Sequence, residues 1–151
     1  MPSATPPSPT ARTQRLLHAS PAQVFAAIRD PQCLARWWGP AGFSNQFQAF
    51  DFREGGRWEF VMRGPDGTEY PNACEFRVIA PDRQVVIDHV VAPRFTLTLT
   101  LTAQGPQATQ TLLDWQQTFE NAEMAERLRP IVEPANEQNL DRLEAVLLPA
   151  P

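Results

Sequence analysis

The most regular pattern in the chain is a strict alternation of apolar and hydroxylated residues in "RFTLTLTLT", residues 94–102. Successive side chains of a β-strand point to opposite faces, so the pattern predicts a strand with a leucine face and a threonine face. The threonine face suits water. The leucine face must contact a packed core, a partner protein or the wall of a ligand cavity, and the alternation alone does not decide among them.

Other segments between residues 43 and 119 show the same period of two and are separated by short turn sequences. These segments are 43–52, 57–62, 72–79, 84–91 and 108–119. Short connections favour antiparallel pairing of neighbouring strands, so we expect one antiparallel sheet. An additional first strand, with weaker alternation, is predicted at 12–19.

Two short helices are predicted between the first strand and the rest of the sheet. Ser20 is a suitable N-cap, Pro21 suits the first helical position, and Gln23 completes a capping box. The Asp-Pro pair at 30–31 ends this helix and begins a second one, which the Gly-Pro pair at 39–40 stops.

A long terminal helix is predicted to cover the apolar face of the sheet. Segment 122–129 is helix-prone, but Pro130 and Pro134 predict an interruption, with the helix resuming from Pro134 to about Leu148. An antiparallel sheet with one apolar face needs such a cover, and strongly twisted sheets curl around it. The predicted fold class is therefore α+β: a curved antiparallel sheet of about seven strands wrapped around a long C-terminal helix.

Composition narrows the range of partners. The net charge of −4 disfavours nucleic acid and strongly anionic membrane surfaces, and no apolar run approaches the roughly 20 residues of a membrane span. All 13 basic residues are arginine, so a Schiff-base lysine, a phosphate-loop lysine and a lysine general base are excluded.

The cysteines and the N-terminal segment indicate where the protein acts. Cys33 and Cys74 lack metal-site spacing and are interpreted as buried free thiols of a reducing compartment, so a cytoplasmic location is expected. Residues 1–11, "MPSATPPSPTA", lack the features of a signal peptide and predict a disordered, proline-rich tail. Residues 12–149 are expected to form a single domain.

Several motifs together resemble a known family. They are "DPQCLARWWGPAGF", "FREGGRWEFVMRGPDGTEY", "IAPDRQVV" and "NLDRLEAVL". The chain resembles, from about residue 15 to residue 148, the bacterial AHSA1-like proteins, which are related to the activator of Hsp90 ATPase. These belong to the START-like (SRPBCC, Bet v 1-like) superfamily.

The resemblance implies a helix-grip fold, in which the curved sheet grips the terminal helix and a cavity lies between them. It also implies binding of hydrophobic small molecules such as lipids, sterols or polyketides, while some superfamily members are cyclases or aromatases. It supplies no catalytic motif that transfers to positions of this chain.

Candidate ligand-binding residues are those on the apolar faces that the sheet and helix share. Asn136 falls on the buried helix stripe and His89 alternates with apolar residues, so either polar group could orient a ligand or be a hydrogen-bonded core residue. Trp37 and Trp38 are interpreted as core residues or the mouth of a pocket. The predicted set is Trp37, Trp58, Phe60, Met62, Phe76, His89, Leu97, Leu99, Trp115, Asn136, Leu140 and Leu143.

The leading functional hypothesis is binding of a hydrophobic or amphipathic small molecule, by a monomer or weak homodimer without cofactor or metal. One alternative is a cyclase-like or aromatase-like enzyme with His89, Tyr70 or Asp114 as its acid or base. A second alternative is a co-chaperone-like interaction module, which requires an exposed apolar patch. The sequence leaves all three open.

Overall fold

The computed structural model of the protein describes residues 8–148. The elements follow in the order β1 (Thr10–Leu17), α1 (Pro21–Arg29), α2 (Pro31–Trp37), β2 (Ser44–Phe50), β3 (Arg57–Arg63), β4 (Glu69–Ala80), β5 (Gln84–His89), β6 (Phe95–Gln104), β7 (Gln110–Phe119) and α3 (Ala122–Leu147). The strands form one curved antiparallel sheet in the order β1-β7-β6-β5-β4-β3-β2. The predicted fold class is confirmed. Within the described residues, no helix combines the length and hydropathy needed to cross a bilayer.

The first two helices begin where the sequence predicts. The Ser20 hydroxyl accepts a hydrogen bond from the backbone N–H of Gln23 at 3.2 Å, and the Gln23 side chain accepts one from the backbone N–H of Ser20 at 2.8 Å. Asp30 ends α1 and caps α2, because its carboxylate accepts from the backbone N–H of Gln32. These caps satisfy amides that have no partner inside a helix.

The leucine face of β6 contacts a packed core along most of its length. Leu97, Leu99 and Leu101 are buried, while the alternating threonines face outward. Irregular pairing between β2 and β3, and again between β4 and β5, introduces the local bends that help a sheet to curl. The concave side of the curled sheet is covered by the three helices.

Helix α3 runs without interruption through Pro130 and Pro134, so the predicted break is wrong. Each proline removes one backbone hydrogen bond to the residue four positions earlier. Glu126, Pro130 and Pro134 are all exposed and lie on one face of the helix. Water can therefore bond the carbonyls that lose their partners, and the helix continues.

Strand β1 begins at Thr10, two residues before its predicted start. Thr10 pairs with Thr118 of β7, and Ala11 is buried against Phe119 and Ala125. The predicted boundary between tail and domain at residue 12 is therefore too late, because a small apolar side chain at position 11 fits beneath α3. Residues 1–7 of the predicted tail lie outside the described residues.

Both cysteines are free thiols. Cys74 is buried as predicted, and burial raises its pKa to about 12. Cys33 is half-buried rather than buried, and desolvation raises its pKa as well. Each side chain is therefore an unreactive, protonated thiol at neutral pH.

Two side chains of α3 attach the helix to the loop that follows α2. The Asn139 amide donates to the carbonyl of Trp37 at 2.8 Å and accepts from the backbone N–H of Gly39 at 3.2 Å. The Arg142 guanidinium donates to the backbone carbonyls of Arg36, Trp38, Gly39 and Pro40 at 2.8–3.0 Å. These bonds hold the C-terminal half of α3 against the core.

The gripped position of α3 predicts a large stability loss for Leu140→Ala. Leu140 is fully buried in the core, so truncation should lower the free energy of unfolding by about 2–5 kcal/mol. Leu148→Ala is the matched control, because Leu148 is exposed at the end of the helix and should change stability by less than about 0.5 kcal/mol. Urea denaturation measures both, and equal losses would contradict this placement of the helix.

Candidate functional site

An apolar groove of about 380 Å³ lies between one end of the concave sheet face and the first half of α3. Ligand pockets commonly measure about 300–1,000 Å³, so the groove has room for a small molecule. The groove is lined by Phe43, Met62, Tyr70, Asn72, His89, Pro93, Phe95, Gln117, Phe119, Leu128, Ile131 and Val132.

The groove and the core share the same strand faces. On β3, Met62 lines the groove, while Phe60 and Trp58, the next inward-facing positions, are buried in the core. On β7, Gln117 lines the groove and Trp115 is the next inward-facing position. The concave face is therefore hollow at one end and filled at the other.

His89 is the most buried ionisable group of the groove. Its Nδ1 lies 2.8 Å from the carbonyl oxygen of Pro93, its Nε2 lies 2.7 Å from the amide oxygen of Asn72, and its ring stacks on Phe95 with centroids 4.6 Å apart. The Pro93 carbonyl only accepts, so Nδ1 carries a proton in either charge state.

The charge of His89 is set by two opposing effects. Burial lowers the pKa of the imidazole and is the larger effect, while the hydrogen bond to Pro93 raises it. We assign the neutral form at pH 7. Nε2 of a neutral ring is an acceptor, yet it faces the Asn72 amide oxygen, because the Asn72 NH₂ group donates to the carbonyl of Tyr70 at 2.8 Å. A neutral ring is matched only if the Asn72 amide turns over and gives up its bond to Tyr70.

The remaining polar groups pair with the protein or lie at the rim. Asn136 donates from its amide to the Gln117 side chain at 3.1 Å, which joins α3 to β7 across the edge of the groove. Tyr70 is 46% exposed and Ile131 is 67% exposed, so both mark the open side. The lining is therefore largely hydrocarbon, with a few polar side chains among the apolar ones.

The predicted site residues separate into three groups. Met62 and His89 border the groove, and Asn136 lies beside it on Gln117. The others are buried in the core, because α1, α2 and the C-terminal half of α3 fill the space above them: Trp37, Trp58, Phe60, Phe76, Leu97, Leu99, Trp115, Leu140 and Leu143. Contact of a ligand with these core residues stays a prediction.

Several groove residues were not predicted, although the sequence carries a signal for some of them. Phe95 and Gln117 continue the inward-facing alternation of Leu97 and Trp115 by one step. Leu128 and Val132 have the i, i+4 spacing of one helix face, but the break predicted at the prolines hid their continuity.

Asp114 does not face the groove. Its carboxylate forms an ion pair with Arg12 of β1 at 2.8 Å, and this hydrogen bond lowers the pKa of Asp114. Asp114 alternates with the inward-facing Trp115 on β7, so its side chain lies on the outer face. Of the predicted acid or base candidates, His89 and Tyr70 border the groove and Asp114 does not.

A curved antiparallel sheet that grips a C-terminal helix is the helix-grip, or Bet v 1-like, fold. The model of the family "Activator of Hsp90 ATPase homolog 1-like protein" matches residues 18–148. The chain belongs to this family, and the predicted family is confirmed.

Solved bacterial structures share the fold. A protein from Chromobacterium violaceum is 22% identical, with a TM-score of 0.81 over 93% of this chain and 99% of its own. A protein from Arthrobacter aurescens is 24% identical, with a TM-score of 0.83 over 93% of this chain and 86% of its own. An AHSA1 protein from Silicibacter pomeroyi is 22% identical, with a TM-score of 0.73 over 91% of this chain and 96% of its own. No curated protein matches the sequence.

The lowered pKa of His89 predicts that acid destabilises the protein through this side chain. The unfolded chain takes up a proton near pH 6.5, whereas the folded protein resists it, so this contribution is complete above pH 6.5 and falls as the pH decreases towards the folded pKa. Urea denaturation from pH 7.5 to pH 5 should show a larger loss of stability for the wild type than for His89→Gln. Each unit of pKa separation is worth at most about 1.4 kcal/mol.

His18→Gln is the control for the loss of an imidazole as such, because His18 is exposed and lies outside the groove. If the wild type instead gained stability over His89→Gln as the pH fell, the bond from Nε2 to Asn72 would outweigh burial, and the assignment of a neutral ring would be wrong.

Proposed function

We propose that the protein binds a hydrophobic or amphipathic small molecule in the groove beneath the first half of α3. The observation that carries this proposal is a cavity of about 380 Å³ whose lining is largely apolar and includes the polar side chains of Tyr70, Asn72, His89 and Gln117. Covering such a surface releases water from hydrocarbon, at about 25 cal/mol per Å² of apolar area. The polar groups then orient the bound molecule.

The arrangement of the lining suggests how the molecule lies. Its apolar part packs between Phe119 of the sheet and Leu128 and Val132 of the helix. Its polar end reaches the rim, where the Tyr70 hydroxyl is accessible to solvent and to a ligand. An amphipathic molecule fits this groove better than a uniformly apolar one.

The family and the thiols are consistent with this proposal. START-like proteins commonly bind small hydrophobic ligands. Unpaired, protonated thiols at Cys33 and Cys74 fit a reducing compartment, so we place the binding activity in the cytoplasm. The groove is open on one side, and a monomer suffices to form it.

One observation favours an enzyme as the second candidate. His89 is an imidazole of lowered pKa in an apolar groove that Tyr70 also lines, and a positioned imidazole is a common general base. Both ring nitrogens of His89 are already engaged, however, by Pro93 and Asn72. Binding without chemistry therefore accounts better for this geometry.

The groove predicts binding of the amphipathic probe 1-anilinonaphthalene-8-sulfonate, measured by its fluorescence. Leu128→Trp places a larger ring in the groove and should weaken binding of the probe at least tenfold, or by about 1.4 kcal/mol. Leu16→Trp is the matched control, because Leu16 is exposed on β1 outside the groove and should leave the affinity unchanged.

Circular dichroism of both variants separates loss of the groove from loss of the fold. If the wild type bound no probe, or if both tryptophan variants bound it as the wild type does, the proposed site would be wrong.

A further inference from the structure

Two buried indole groups in the core lack a hydrogen-bond acceptor. Trp58 and Trp115 are 0% and 2% exposed, and neither indole N–H meets an acceptor among residues 8–148. A buried indole N–H usually has an acceptor, as in the neighbouring Trp37, whose indole donates to the carbonyl of Ala27 at 3.0 Å. A buried donor without a partner costs about 1–3 kcal/mol, so two of them in one wall need an explanation.

Both indoles contact the same half-buried side chain, Trp38. The rings of Trp38 and Trp58 meet edge to face with centroids 5.0 Å apart, and those of Trp38 and Trp115 stack at 5.7 Å and 28°. An aromatic face is at best a weak acceptor. Trp38 therefore packs against both indole rings without supplying the oxygen that each N–H lacks.

The side chain of Trp38 can turn without moving the backbone that carries it. The Trp38 carbonyl accepts from the Asn45 amide at 2.9 Å and from Arg142 at 2.8 Å, which fixes the main chain at the end of α2. The indole itself packs against other rings and is half-buried. A change of rotamer would move only the side chain and leave these backbone bonds intact.

The residues that pack around Trp38 are close neighbours of the groove along the strands. Trp58 lies two inward-facing positions from Met62 on β3, and Trp115 lies one from Gln117 on β7. Gly39 packs directly on the Met62 side chain, because a Cβ atom at position 39 would lie 2.5 Å from the Met62 terminal methyl. The Trp38–Gly39 segment therefore lies behind Met62, the side chain that separates it from the groove.

We propose that Trp38 is a displaceable plug, and that a planar aromatic ligand with a carbonyl oxygen replaces its ring and accepts hydrogen bonds from Trp58 and Trp115. The ligand ring stacks on Trp115 as Trp38 does. The N–H groups of Trp58 and Trp115 require a hydrogen-bond acceptor on the ligand. A neutral carbonyl is favoured over a carboxylate, because burying a charged group among aromatic rings costs far more free energy. This inference rests on the proposed function, since the ligand enters through the groove.

Nuclear magnetic resonance of ¹⁵N-indole-labelled protein tests the proposal directly. The chain has four tryptophans, so it gives four indole N–H signals, which tryptophan-to-phenylalanine variants assign. The probe is 2-acetylnaphthalene, and the matched control is 2-ethylnaphthalene, which has the same ring system and no oxygen. The ketone should move the Trp58 and Trp115 protons downfield, leave Trp37 in place, and bind about tenfold more tightly than the hydrocarbon.

Two variants test the parts separately. Trp38→Leu removes the plug and should raise the affinity for the ketone about tenfold, because no ring has to be displaced. Trp115→Phe keeps an aromatic ring and removes one donor, so it should reduce the preference for the ketone over the hydrocarbon. The measurement on the wild type stands even if a variant fails to fold.

The outcomes distinguish this proposal from the one on which it rests. If the sulfonate probe binds the groove but neither indole signal responds to the ketone, the plug is wrong and the groove stands. If no probe binds, both proposals fail. If both indole signals of the free protein already lie downfield, with a persistent contact to water that the ketone does not change, buried water is the acceptor and the plug is wrong.

Discussion

The structure depends on one constraint, which is that the apolar concave face of the sheet must be covered along its length. An antiparallel sheet can leave one face in water only if that face is polar, and here the threonines of β6 supply that face. The opposite face carries the leucines and the aromatic rings. The positions of the three helices decide which part of this face is packed core and which part borders the groove.

Helix α3 covers the two ends of this face unequally. Asn139 and Arg142 bind it to the loop after α2, and Leu140 and Leu143 are fully buried beside them. Between Ala125 and Asn139 the helix buries no residue. That middle stretch contains both prolines and several charged side chains, so it has few apolar side chains to bury in the core. The groove lies beneath it.

The alternation of apolar residues predicted the sheet closely, because a strand with one buried face requires a period of two. The helix caps at Ser20 and Asp30 were equally predictable, since they depend only on residues close by in the sequence. The continuity of α3 through Pro130 could not be predicted from the sequence, because it depends on which face of the helix is exposed to water. The expectation that proline interrupts a helix fails here because the carbonyls that lose their hydrogen bonds are on the exposed face.

The division of the concave face into core and groove was also beyond the sequence. Leu97 and Phe95 occupy the same face of β6, yet one is covered by packed side chains and the other borders a cavity. The difference comes from the side chains that face each residue across the core. Which side chains these are depends on where the helices pack in the tertiary structure. Met62 and His89 border the groove because they lie near the ends of their strands, whereas Phe60 lies further along β3 in the packed core. Ligand contact at all three positions stays a prediction.

The polar groups of the concave face show which of them are structural. His89 and Gln117 have partners within the protein, so the groove needs no ligand to satisfy them. Trp58 and Trp115 have none among the described residues. A phenyl ring would give much of the same apolar burial without an unmet donor, so packing alone does not explain an indole at these positions. The donors that the described residues leave without an acceptor on this face are therefore the two indoles packed against Trp38.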